Sequence, residues 1–231
     1  MKRFWREAAV EQVSGGWRVS LDGRAVRTPG RAPQVVPTHA LAAALADEWR
    51  AQGKEIDPAG FVLRDLADYA IDVVATRREE TVARLLAFAE TDTLCYRAEP
   101  DEPLAARQRA LWEPLLRTAE ARHGIRFERI AGVIHRPQPA ATLAALRAAL
   151  EPLDPFALAA LQTLASLAAS LMVALAALEP GADPDELWGA ANLEEDWQTE
   201  QWGEDAEAAT MRAKRLREFL AAERFARLAA G

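Results

Sequence analysis

The sequence predicts an α+β fold: a small N-terminal strand-rich domain with one helix, residues 1–62, followed by a larger all-helical domain, residues 63–231, around a buried central helix. Two observations carry this prediction. Up to Pro37, apolar residues alternate with polar ones between frequent turn residues; beyond it they recur at three-and-four spacing. The stretch 156–178, moreover, holds no charged residue. A helix apolar nearly all round is buried on all sides and implies a helical layer about it.

In the first region Trp17, Val19 and Leu21 alternate with Arg18, Ser20 and Asp22, bounded by Ser14-Gly15-Gly16 and by Asp22-Gly23. Asp-Gly supplies the positive φ angles of a tight two-residue hairpin, so 10–28 reads as an antiparallel meander. Pro29, Pro33 and Pro37 punctuate a loop with a short extended piece at Val35 and Val36, where strand structure is expected to end. Thr38 is the expected N-cap of a helix through Leu41, Leu45 and Trp49 to Gly53, with Trp49 a plug between helix and sheet. Residues 54–63, with Pro58 and Gly60, read as the link to the second region.

Helical patterning then dominates. Leu66, Tyr69, Ala70 and Val73 form one stripe; Val82, Leu85, Leu86 and Ala89 form the next, running into TDTLCYR at 91–97. Pro103 opens a helix through Leu104, Leu111, Trp112, Leu115 and Leu116 to Gly124, which Pro114 is expected to kink. Residues 125–135 are ambiguous between extended and irregular, and Leu143, Leu146 and Leu150 mark another helix. The uncharged stretch is expected to be one continuous helix, started by Asp154 and Pro155 and ended by Pro180 and Gly181. Leu161, Leu164, Leu171, Leu175 and Leu178 make its large-residue stripe, and Gln162, Ser166 and Ser170 a line of smaller polar side chains. It is too rich in Ala, and too interrupted by those polar residues, to read as a membrane span.

Asp183 and Pro184 repeat the cap-then-proline start, and DELWGAANLEEDWQTEQWG follows to Gly203 as one helix. At helical spacing Glu194, Trp197, Gln198 and Gln201 share a stripe with Leu187, Ala190 and Ala191, so Glu194 and Gln198 are expected on the packed side. The last helix begins acidic at Glu204, Asp205 and Glu207 and turns basic at Arg212, Lys214, Arg215 and Arg217, an order that suits the helix dipole and reads as a solvated face.

The totals narrow the function. The 231 residues are half apolar, and 28 Lys and Arg stand against 35 Asp and Glu for a net charge of -7. That balance disfavours nucleic acid as the main partner. The single cysteine, Cys95, excludes an internal disulfide and a cysteine-based zinc site, and reads as a buried structural thiol. The start, MKRFWREAAVEQV, shows no signal-peptide pattern, so a cytoplasmic, bacterial setting without membrane insertion is expected. No phosphate-cradling glycine loop, metal motif or serine elbow is present, and no cofactor or metal is expected. Glu194, Glu195 and Asp196 point about 100° apart along a helix and cannot converge on one ion. Glu194 with Gln198, one turn apart, is either a hydrogen bond between helices or, with Trp197 and Trp202 beside it, a recognition site for a basic, partly apolar partner surface.

Six pieces in order, RFW at 3–5, DGR with TP over 22–29, EW at 48–49, TDTLCYR at 91–97, WEPL from Trp112 and LEEDWQTEQWG at 193–203, resemble the F1-ATPase assembly chaperones that bind the α subunit of the catalytic head. The resemblance implies a two-domain fold, a role that is not enzymatic, and the α subunit as partner. It implies functional weight on the first glutamate of the LEE motif, here Glu194, and weight for folding on Trp49. With Gln198 and Trp202 as supporting contacts of Glu194, the expected partner-binding residues are Glu194, Gln198 and Trp202, and the chain is expected to be a monomer. Mitochondrial members continue after Trp-Gly with Trp-Ala-His-Asp, where this chain has EDAEAAT after Gly203. A carboxylate-site enzyme around Glu194 and a scaffold retained in the mature complex are the alternatives.

Overall fold

The computed structural model describes residues 1–132 and 135–231, and the chain divides into two compact units. Met1–Arg78, Asp154–Ala160 and Ala221–Gly231 make the first; Glu79–Leu153 and Leu161–Leu220 make the second.

In the first unit β1 (Ala8–Val13) pairs antiparallel with β2 (Gly16–Leu21), Val10 opposite Val19. Gly16 is required at the turn: its φ is +149°, and a Cβ there would meet the Val36 carbonyl oxygen at 2.3 Å. The chain reverses again at Asp22-Gly23, with φ of 48° and 77°, into β3 (Arg24–Ala25), so the Asp-Gly turn forms as expected. Asp22 also accepts hydrogen bonds from the backbone N–H groups of Arg6 and Glu7, which draw its carboxyl below the ordinary range. β4 (Val35–Val36) pairs with the other end of β2.

α1 (His39–Ala51) lies on this sheet, its first turn capped by the Thr38 hydroxyl, which accepts from Leu41 N at 3.0 Å. It buries Leu41, Leu45 and Trp49. Trp49 is buried as expected, and its ring neighbours are Trp5, edge-on at 4.9 Å, and Phe61 at 4.6 Å, both outside the strands. Its neighbour Glu48 accepts from the N–H groups of Leu63 and Arg64 and so caps α2 (Val62–Tyr69), which widens into a π-turn over Ala70–Val74.

The second unit opens with α3 (Arg78–Glu90). Here the structure departs from the sequence expectation, because TDTLCYR does not extend the helix. Asp92 caps a single 3₁₀ turn, Thr93–Cys95, and β5 (Tyr96–Arg97) follows. α4 (Pro103–His123) runs through Pro114 without interruption and ends at Gly124 in the left-handed conformation. β6 (Ile130–Ala131) pairs in parallel with β5, which resolves part of the ambiguous 125–135 segment; Val133 and Ile134 lie outside the described residues. α5 (Ala140–Leu150) follows.

The uncharged stretch is not one helix. α6 (Pro155–Ala168) and α7 (Leu171–Ala177) are separated at Ala169, whose φ is +48°, and Ser170 is the N-cap of α7. The Ser170 hydroxyl accepts from Val173 N and donates to the Asp92 carboxylate, which also takes the Met172 and Leu94 N–H groups; Thr93 donates to the Ala169 carbonyl from backbone and side chain. A buried carboxylate thus takes up donors that the break releases. The stretch is still the core: Leu158, Leu161, Leu164 and Leu171 are fully buried, each contributing about 2 kcal/mol by leaving water.

α8 (Pro184–Ala191) and α9 (Leu193–Trp202) are likewise two helices, parted at Asn192, and α10 (Ala206–Ala230) closes the chain. Asn192 is buried and returns its side-chain amide to the Trp188 carbonyl. Among the described residues no helix is long and apolar enough to cross a membrane.

Candidate functional site

The helix α9 carries all three expected site residues, Glu194, Gln198 and Trp202, and its acids fan outward as helical geometry requires. Glu194 accepts from Gln108 Nε2 on α4 at 2.7 Å. Glu195 approaches Arg215 of α10 at 3.8 Å, and Asp196 pairs with Arg212 of the same helix. One turn further on, Glu200 pairs with Arg107 of α4 at 2.7 Å, and the Arg107 guanidinium lies 4.5 Å from the Trp197 ring centre. α9 is therefore strapped to α4 on one side and α10 on the other.

This corrects two readings of the sequence. The basic run of α10 is more than a solvated face, since Arg212 and Arg215 hold α9, and Arg215 also donates to the Leu167 carbonyl at 2.9 Å. Glu194 and Gln198 are exposed, against the packed position their helical spacing predicts. The break at Asn192 is the reason: it ends the stripe begun by Leu187 and Ala190, and of α9 only Leu193 is buried.

The exposed Glu194 carboxylate is nonetheless fixed. Gln108 is fully buried; its Oε1 accepts from Ala98 N at 2.8 Å while its Nε2 donates to Glu194, so the amide can present only its donor end to α9. Two α4 neighbours continue this side, the packed Trp112, whose indole donates to the Ala190 carbonyl at 2.7 Å, and Leu111, an exposed leucine. At the end of α9, Trp202 is 79% exposed. The structure thus brings Glu194 and Gln198 onto one accessible helix with Trp202 at its end. Sequence reasoning missed Gln108. The available signal was a glutamine four residues before Trp112, on the stripe that buries Ala105, Trp112 and Leu116.

Three further pieces of the resemblance, RFW, DGR with TP, and EW, lie in the first unit. Phe4, Trp5, Asp22, Arg24, Thr28, Pro29 and Trp49 all line one cleft of about 620 Å³. Phe4, largely exposed, lies at 5.0 Å from Trp5, and Arg64 stacks 3.8 Å over Phe61. Asp68 on the same wall accepts from Gln34 at 2.6 Å, and burial raises its carboxyl above the ordinary value. Cys95 is wholly buried and its thiol is pushed up by desolvation, an inert packing residue as expected. Among the described residues no group of three or more His, Cys, Asp and Glu side chains is placed to hold a metal.

The α+β chain thus holds an acidic, tryptophan-bearing helix between α4 and α10 and leaves Glu194, Gln198 and Trp202 in solvent, a surface open to a partner. The chain belongs to the ATP12 chaperone protein family, whose model matches residues 2–120, and it is accordingly an ATP synthase assembly chaperone. It is 29% identical over 219 residues to the mitochondrial protein atp12 of Schizosaccharomyces pombe, covering 89% of this chain and 75% of that one. The crystal structure of Atp12 from Paracoccus denitrificans superposes with a TM-score of 0.93 at 38% identity, covering 99% of this chain and 98% of that one. The Atu1473 protein of Agrobacterium tumefaciens superposes at 0.94 with 40% identity, over 100% of this chain and 86% of its own.

Proposed function

We propose that the chain binds the unassembled α subunit of the F1-ATPase through the exposed side of α9 and keeps it from aggregating until it pairs with β. Glu194, Gln198 and Trp202 are the contacting residues. The observation that carries this reading is the held carboxylate: a buried glutamine fixes Glu194 on an exposed helix, with a large free aromatic at the end of that helix. Pre-orientation of this kind spares the ordering cost that a mobile side chain incurs on binding.

An unassembled subunit exposes surface meant for its neighbours, and such surface drives aggregation. Covering it needs no chemical step, so in this reading the chain works without catalysing a reaction, with the cytoplasm as its expected setting. Glu194 contributes a charge for a basic group on the client, and Trp202 a desolvated aromatic contact of the kind that dominates protein interfaces.

Light scattering of the cognate α subunit diluted from denaturant tests this reading. An equimolar amount of the chain suppresses the scattering, and Glu194→Lys, which loses the bond to Gln108 and reverses the charge, does not. Equal suppression by a folded Glu194→Lys variant refutes the assignment of the site. Presence of the chain in the mature synthase would instead identify a retained scaffold.

A further inference from the structure

On the second unit, away from the residues assigned to α9, four arginines converge on a cleft of about 330 Å³: Arg97 from β5, Arg109 and Arg117 from α4, and Arg129 just before β6. Arg109, Glu113 and Arg117 recur at intervals of four, so α4 presents them in one row. Glu113 is the carboxylate of the lining. It is already committed, to Arg129 at 3.0 Å, Arg117 at 3.1 Å and Arg97 at 3.5 Å. The nearby Glu120 is buried; it pairs with Arg129 and takes the Phe127 N–H. Arg109 is exposed and has no ion-pair or hydrogen-bond partner among the described residues.

A network that served packing alone would match its charges. Here Arg97, Arg117 and Arg129 share Glu113, Arg129 and Arg126 share Glu120, and Arg109 has neither, in a chain whose overall charge is -7. Arg97 shows the imbalance most sharply. Its side chain is only 12% exposed, its guanidinium lies 5.3 Å from the Trp112 ring centre, and its Nε–H is buried without an acceptor. A buried donor left unpaired costs stability, and more when it is charged. Burial holds its affinity for the proton below the usual value; Glu113 opposes that, while Arg129 and Arg109 add to it. The cleft is short of negative charge and its small walls, Ala98, Ala105 and Ala131, leave room for it.

We propose that this cleft is an oxyanion-binding site, in which Arg109 and the row it shares with Arg117 receive a carboxylate or phosphate group from a ligand. Planar guanidinium forks match both groups with paired hydrogen bonds. No residue of α9 lines the cleft, and the proposal does not depend on the client assignment made above.

Isothermal titration of the full chain at constant ionic strength tests it, with inorganic phosphate in one arm and hexaglutamate, against neutral hexaglutamine, in the other. Binding of phosphate assigns the site to a free phosphate group, and binding of hexaglutamate but not hexaglutamine assigns it to the acidic side chains of a polypeptide. In either case Arg109→Ala weakens the binding by roughly tenfold or more, the size expected for one charge-assisted contact, with an unchanged melting temperature. Arg147→Ala, an exposed arginine on α5 outside the cleft, leaves binding intact. Failure of both ligands to bind, or equal binding by wild type and Arg109→Ala, overturns the proposal.

Discussion

Ser170 donates its hydroxyl to Asp92 at 2.7 Å across 78 residues of chain, and both side chains are fully out of solvent. Burial lifts the Asp92 carboxyl from 3.8 to about 6, against the pull of the N–H and O–H donors around it. A carboxyl whose folded pKa is raised binds its proton more tightly in the native than in the unfolded chain. Its contribution to stability is therefore fully present below about 3.8 and is lost as pH rises through about 6. Asp92→Asn removes this titration and leaves the other carboxylates in place. The stability advantage of wild type over the variant is expected to be larger at pH 5 than at pH 8 by on the order of 1 kcal/mol. Urea unfolding at the two pH values measures it, and an equal gap at both would show that Asp92 does not titrate in this window.

The same break yields a second prediction at Ala169. Its φ of +48° costs a residue with a Cβ about 1 kcal/mol relative to glycine, and its methyl is exposed, so no packing is lost on removing it. Ala169→Gly is expected to stabilise the protein by about 0.5 kcal/mol, part of the gain being offset by the freer unfolded chain. Thermal unfolding decides it; a lower midpoint would mean that the strain at Ala169 is not relieved by glycine.

The helix breaks at Ala169 and Asn192 mark the limit of what is legible in the sequence. The meander, its Asp-Gly turn, the Thr38 cap, the burial of Trp49 and the buried leucines of 158–171 follow from local patterns and appear as such. The breaks at Ala169 and Asn192 do not, because neither carries Gly or Pro. The first is held by Asp92, distant in sequence, and the second by an asparagine amide that takes the Trp188 carbonyl. At the candidate site, the resemblance singles out Glu194, whose role in binding is the proposal made above. Its exposure is not legible, because a stripe drawn through Asn192 assumes one helix. Gln108 and the partners of Glu195 and Asp196 depend on which helices flank α9, and spacing within one helix cannot supply that.

Trp112 offers a separate measure of how α4 holds α8. It is wholly buried, and its indole donates to the Ala190 carbonyl at 2.7 Å. Trp112→Phe keeps most of the ring but leaves that carbonyl without this donor, and loses the larger ring's contacts. A loss of about 2–3 kcal/mol is expected in denaturant melts, the sum of an unmade buried hydrogen bond and a small cavity. A change below about 0.5 kcal/mol, the range of ordinary surface substitutions, would show that the indole bond contributes nothing.

Stability and client binding separate most cleanly at Trp202 and Gln108. Trp202 is 79% exposed on the last turn of α9, so Trp202→Ala is expected to change stability by no more than about 0.5 kcal/mol. If Trp202 contacts the client, the same substitution weakens its capture by roughly 30-fold, the effect of losing an interface tryptophan worth about 2 kcal/mol. Gln108→Ala acts differently. It strands the buried Ala98 N–H and frees Glu194, so about 1–3 kcal/mol of stability is lost, and client protection falls because the carboxylate is no longer fixed. Unfolding curves and scattering assays on the two variants form the comparison: Trp202→Ala is stable but defective, and Gln108→Ala is both less stable and defective. A Trp202→Ala protein that protects the client as wild type does would remove Trp202 from the binding face and confine the face to the α4 side of α9, where Glu194 meets Gln108.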